Sequence, residues 1–156
     1  MGAVSKISLL NDGLREIDMS YAGGKIVHTE ELPWLALAPK ISVRVLATDR
    51  ETGSFSVMVR AEPGGVLPRH QHVERAEILV IKGRGTHPQT GDYRTGDYIS
   101  EPKGAIHDVV HFTEENVLLM VCEGPSNFLG ADGSVELEMD VGMLDRLAAQ
   151  AGKAAG

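Results

Sequence analysis

Three histidines stand at spacings that suit a metal ion. Two lie in the stretch Gly64-x5-His70-x-His72-x4-Glu77-x5-Gly83, and the third in Gly96-x5-Pro102-x-Gly104-x2-His107-x3-His111. His70 and His72 are two residues apart, between Leu67-Pro68 and the apolar run 78–81. Strand side chains alternate with a period of two, so both imidazoles face one side. His107 opens a second apolar segment, with Val109 and Val110, that brings a third ring alongside. Neutral nitrogen donors with an open position make a catalytic transition-metal site. The pattern reads as a metal-binding β-barrel.

The elements that must hold these rings follow from patterning. Ile41 to Leu46 alternates, as do Phe55, Val57 and Val59, and the turn at 49–54 joins them as a hairpin. Further strands are expected at 77–81, 98–100, 117–122 and 135–139, with the polar stretch 86–96 read as turn-rich connector. Many short strands and little else indicate an all-β sandwich or barrel. The tail differs: Asp140 suits an N-cap, and Val141, Leu144, Leu147, Ala148 and Ala151 recur at helical spacing. The expected organisation is one domain over 1–156, with an N-terminal arm and strands in 1–31, a barrel in 32–139 and a helix in 140–151.

Composition limits what such a domain does. At 156 residues the chain is long enough to bury a core, and 42% hydrophobic with 24% charged residues is ordinary for a globular protein. A net charge of −7 argues against nucleic acid as partner. No run is long enough to span a bilayer and no signal peptide is evident, so no membrane partner is expected. The single cysteine, Cys122, suits a reducing cytoplasm. Val4, Ile7, Leu9 and Leu10 make the arm too apolar for a free tail, which with strand edges predicts a homo-oligomer, a dimer or dimer of dimers.

The two motifs resemble those of the cupin superfamily; the second matches at every fixed position except the last, where His111 replaces the usual asparagine. A closer resemblance is to small cupin dioxygenases that cleave carbon–carbon bonds in β-diketones, the acetylacetone dioxygenase type. It is carried by HxH-x4-E and the following turn (Glu77 to Arg84), by the approach Glu101 to His107, and by Gly124-Pro-Ser-Asn-Phe128 with Asp132-Gly133. The segment from Leu32-Pro-Trp to Gly53 is also similar to cupins related to dihydroxyacetophenone dioxygenase. The resemblance implies a small jelly-roll barrel with iron(II) on His70, His72 and His107, acting with dioxygen on a small β-dicarbonyl or hydroxyaryl ketone. Imidazole suits zinc, nickel and copper as well, and a carboxylate would suit manganese. A non-catalytic zinc-sensor cupin and a metal-dependent isomerase or hydrolase are the rival functions.

The remaining residues follow from this frame. Many cupins use the first-motif glutamate as a fourth ligand. Five residues separate Glu77 from Gly83, one fewer than the common spacing. If Gly83 anchors the turn, the offset flips the strand's faces, turning Ile78 and Val80 inward and Glu77 away. If the register runs from His72, Glu77 reaches the metal. Glu101, six residues before His107, is the candidate catalytic carboxylate, orienting a ligand, water or substrate. Leu67, Ile78, Val109, His111, Leu118, Met120 and Cys122 are candidate pocket residues, and His28 and His87 are read as surface.

Overall fold

The computed structural model describes residues 23–154; the predicted arm at 1–12 lies outside the described residues. A 3-10 turn at Thr29–Glu31 precedes strands β1 (Leu35–Ala38), β2 (Ile41–Thr48), β3 (Phe55–Ala61), β4 (Val66–Leu67), β5 (His70–His72), β6 (Ala76–Lys82) and β7 (Arg84–His87). They continue as β8 (Gly91–Arg94), β9 (Tyr98–Glu101), β10 (Ile106–His107), β11 (Val110–His111), β12 (Asn116–Cys122), β13 (Ser126–Leu129) and β14 (Val135–Met139), followed by helix α1 (Val141–Ala154).

A six-stranded sheet, ordered β1-β2-β3-β12-β6-β9, faces a four-stranded one, β10-β5-β13-β14, with the pairs β11-β4 and β7-β8 beside them. This is the all-β jelly roll with one short C-terminal helix that the sequence implies, its strands pairing as four sheets rather than one closed ring. Alternation decides the faces. Along β3, Phe55, Val57, Val59 and Ala61 are buried and the residues between them are not. β12 is apolar on both faces, yet only Leu118, Met120, Cys122 and the N-terminal Asn116 are buried. Each buried Val or Leu contributes about 1.5–3 kcal/mol.

Gly83 sets the register that matters most. Its φ is +95°, and a Cβ there would stand 2.5 Å from the Glu115 carbonyl oxygen, so only glycine fits. With the turn pinned, Ala76, Ile78 and Val80 face the core while Glu77, Leu79 and Ile81 face outward.

The helix begins where its cap predicts. Met143 N–H donates to Asp140 Oδ1 at 2.7 Å, and Val141 and Leu144 are buried. Asp145 then accepts from Arg50 Nε (2.8 Å) and Thr48 Oγ1 (2.9 Å), tying α1 to β2 and to the turn before β3. Among the described residues no helix is long and apolar enough to cross a membrane.

Candidate metal centre

Short antiparallel pairings bring the three histidines together. His70 and His107 are direct partners in the β5–β10 pair, and His72 is fixed by His72 N–H to the Ala105 carbonyl (2.9 Å) and Gly104 N–H to the His72 carbonyl (2.8 Å). All three rings are buried and face the space between the two large sheets. Ring centres lie 5.1 Å apart for His70–His72, 5.5 Å for His70–His107 and 5.6 Å for His72–His107. An ion about 2.1 Å from a ring nitrogen sits about 3.2 Å from that ring's centre, so three rings sharing one ion at tetrahedral to trigonal angles stand roughly 5 to 5.6 Å apart. The observed spacing fits that arrangement.

The far nitrogens are held as metal-bound imidazoles usually are. His70 Nδ1 lies 2.9 Å from the Pro68 carbonyl and His107 Nδ1 3.1 Å from the Pro88 carbonyl, so each donates outward and leaves Nε2 for the interior. His72 Nδ1 lies 3.4 Å from Ser126 Oγ, and its Nε2 is buried with no hydrogen-bond partner. A buried polar nitrogen left bare is costly unless something binds it.

A carboxylate joins them. β9 turns Ile99 and Glu101 inward, and Glu101, only 1% exposed, is directly opposite Ala76 of β6. Its Oε2 is 2.5 Å from His107 Nε2, while its Oε1 is buried without a hydrogen bond. The donor atoms of His72, Glu101 and His107 all lie within 4.8 Å of one another, with the His70 ring beside them. Two imidazoles and a carboxylate form the donor set of many non-haem iron(II) oxygenases. The bare nitrogen of His72 and bare oxygen of Glu101 make this pocket fit a divalent ion.

Burial sets the charges. His70 is held below the ordinary imidazole pKa by desolvation, and His72 is pushed to about 4 by desolvation and then by His70. Burial also opposes charge on His107, but the bond from Glu101 and that of the Pro88 carbonyl outweigh it and hold its pKa above the usual value. Burial would raise Glu101, yet the His107 bond and neighbouring imidazoles keep it low. His72 and His87, each at about 4 against 6.5 for a free imidazole, bind protons in the unfolded chain first. Their contribution to metal-free stability is present above pH 6.5 and is lost as pH falls toward 4. His70 acts in the same direction and His107, with its raised pKa, in the opposite one, so with three groups against one the urea midpoint of metal-free protein should drop between pH 7 and pH 5; a rising midpoint contradicts these burials.

Glu77 lies outside this group. Its side chain faces away from the cavity, accepting from Arg75 Nη2 at 2.8 Å and from Tyr98 Oη at 2.5 Å. The cavity next to the rings is lined by Leu67, His70, Ile78, His87, Tyr93, Ile99, Val110, Phe112, Leu118 and Met120. The space left there is about 20 Å³, room for one water-sized group.

Three pocket expectations need correction. Val109 and His111 are exposed, Val109 to 40%, because the strand breaks at Asp108–Val109. The break shifts the alternation, so Val110 turns inward and His111 pairs outward opposite Val66. Cys122 is buried core between Phe55 and Ala76, away from the cavity wall, its thiol pushed up to about 12 by burial.

A fourth correction concerns His87. Residues read as connector fold into the hairpin β7–β8, whose inward positions are His87 and Tyr93. His28 is exposed, as expected, but His87 is buried with its ring centre 4.2 Å from that of His107. The reversal runs through Pro88–Thr90, and the register that pairs His87 with Gly91 and Gly85 with Tyr93 turns His87 and Tyr93 to one face.

Known structures share this fold. An acetylacetone dioxygenase from Acinetobacter johnsonii superposes with a TM-score of 0.70 at 19% identity, over 89% of this chain and 98% of that one. An RmlC-like cupin from Ralstonia eutropha JMP134 gives 0.79 at 15%, over 88% and 92%. The complex of SigE with the anti-sigma ChrR from Rhodobacter sphaeroides gives 0.52 at 20%, over 60% of this chain and 50% of that one. At these identities the likeness is one of fold. No curated protein matches the sequence. The family model of the ChrR cupin-like domain matches residues 22–127, which hold both histidine motifs and Glu101, and the chain belongs to that family.

Proposed function

We propose that this protein is a metal-dependent dioxygenase that cleaves a carbon–carbon bond of a small β-dicarbonyl or hydroxyaryl ketone. The observation that carries the reading is the buried convergence of His70, His72, His107 and Glu101 with two unsatisfied donor atoms pointing inward. These residues would hold iron(II), which when bound supplies a Lewis acid for an enolate and electrons for dioxygen. The protein's own part is positional. Pro68 and Pro88 carbonyls fix two ring tautomers, and the apolar wall of Ile78, Ile99, Val110 and Phe112 keeps bulk water from the centre. Glu101 accepts a proton or a metal bond at the same place, next to His107 Nε2. The small free volume favours a compact substrate, and any ligand larger than water must displace part of that wall.

The acetylacetone dioxygenase among the similar folds supports this reading. The family's ChrR member supports a second: a non-catalytic metal-binding module holding zinc on the same residues. Anaerobic loading with iron(II), followed by oxygen uptake with β-dicarbonyls and hydroxyaryl ketones, separates the two. Uptake in step with substrate loss is expected. Stoichiometric metal binding with no uptake above free iron(II) for any substrate contradicts the enzyme reading and favours the module.

A further inference from the structure

His87 belongs to neither histidine motif, yet the β7–β8 hairpin delivers it to the centre. The residue is only 7% exposed, and its side chain borders the same water-sized space as His70. Its Nε2 stands 3.5 Å from Glu101 Oε1, the carboxylate oxygen that lacks a hydrogen bond. That oxygen favours the tautomer with the proton on Nε2, and Nδ1, 3.1 Å from Thr90 Oγ1, then accepts from the threonine hydroxyl. The turn behind it is clamped: Gln89 Nε2 donates to Asp108 Oδ2 at 2.5 Å and Asp108 N–H to Gln89 Oε1 at 3.1 Å, although Gln89 sits at a φ of +66°. A non-glycine residue in that region is strained, and the reciprocal bonds with Asp108 hold it there.

The rest of the cavity wall offers no such donor. Tyr93 is the other polar side chain that lines it besides His70, and its hydroxyl is engaged with Asn116 Oδ1 at 3.0 Å. Leu67, Ile78, Ile99, Val110, Phe112, Leu118 and Met120 are apolar. An anionic oxygen ligand entering this space meets the His70 ring on one side and His87 on the other.

We propose that His87 is a ligand-binding residue of this centre, donating from Nε2 to the oxygen of an anionic oxygen ligand that takes the open position beside His70. The inference rests on the metal-centre reading above and names the class of ligand, a small oxyanion or enolate. His87 sets specificity by hydrogen bonding to the incoming oxygen and is not itself a metal donor. Removing a hydrogen bond to a charged partner in a buried site weakens binding by roughly tenfold to a hundredfold.

The test uses the full chain loaded with cobalt(II), whose visible spectrum reports ligand exchange without turnover. Acetate and 2,4-pentanedione are titrated separately into wild type, His87→Phe and His87→Gln, and cobalt affinity is measured for each. Wild type is expected to bind acetate. His87→Phe should bind it at least about tenfold more weakly, with part of the loss restored in His87→Gln, while cobalt affinity stays within about threefold. Unchanged acetate affinity in His87→Phe overturns the proposal, as does a wild type that gives no spectral response to acetate. A cobalt affinity that collapses in both variants also overturns it, because His87 would then be a metal donor. Acetate binding that depends on His87, with no response to 2,4-pentanedione, leaves this inference standing and refutes the dicarbonyl substrate class.

Discussion

Alanine at His72 or His107 is expected to lower divalent-metal affinity by more than about 100-fold, beyond the 10–100-fold typical of residues that merely orient a ligand. Both rings are fully enclosed, and each presents its Nε2 to the shared space with Nδ1 turned to an oxygen behind it. His111→Ala and His28→Ala are the matched controls, since both side chains are exposed and should leave metal binding unchanged. Equilibrium dialysis with iron(II) or zinc, beside urea unfolding of the metal-free proteins, separates lost ligation from lost folding. A His72→Ala protein that folds and still binds one ion per chain with native affinity would remove the site.

The second large effect concerns where the carboxylate comes from. The pinned register of β6 turns Ala76, not Glu77, to the buried core face, and Ala76 lies directly across the strand pair from Glu101. Side chains at such opposed positions have Cβ atoms about 4.5–5.5 Å apart, so a carboxylate can be moved from one strand to the other and still reach the same volume. Glu101→Ala should cost roughly 10–100-fold in metal affinity. Adding Ala76→Glu to that variant should recover most of the loss, while Glu77→Gln alone should change affinity by no more than about twofold. An unaltered Glu101→Ala protein would make the carboxylate irrelevant to the ion. A double variant no better than the single would tie its action to the His107 contact rather than to the charge it brings.

Much of this centre was legible in the residues because each histidine sits in a short strand of clear parity next to a glycine or proline that fixes the turn. The jelly roll followed from alternation in β2 and β3 and the many turn signals, and α1 from its cap and helical spacing. Glu77 was undecidable from spacing alone: two registers were open, and the one set by Gly83 depends on a close approach to the Glu115 carbonyl, a long-range contact. His111 misled because parity assumes an unbroken strand, whereas the chain leaves the ladder at Asp108–Val109. The β7–β8 hairpin was hidden for a different reason. Its strands, Arg-Gly-Thr-His and Gly-Asp-Tyr-Arg, carry no apolar alternation, since His87 and Tyr93 are the positions that turn inward and one of them is polar. Hydrophobic periodicity has nothing to detect where the buried residue is itself polar.

The central claim is that one divalent ion sits among His70, His72 and His107 with Glu101 against it. Diffraction from iron(II)-loaded crystals, recorded on both sides of the iron absorption edge, locates the ion without reference to activity. The account predicts one anomalous peak per chain within bonding distance of Nε2 of His72 and His107, bordered by His70 and Glu101, and none beside Glu77. A peak bound at Glu77 or at the protein surface, with the three rings left empty in crystals shown to hold one iron per chain, would contradict it.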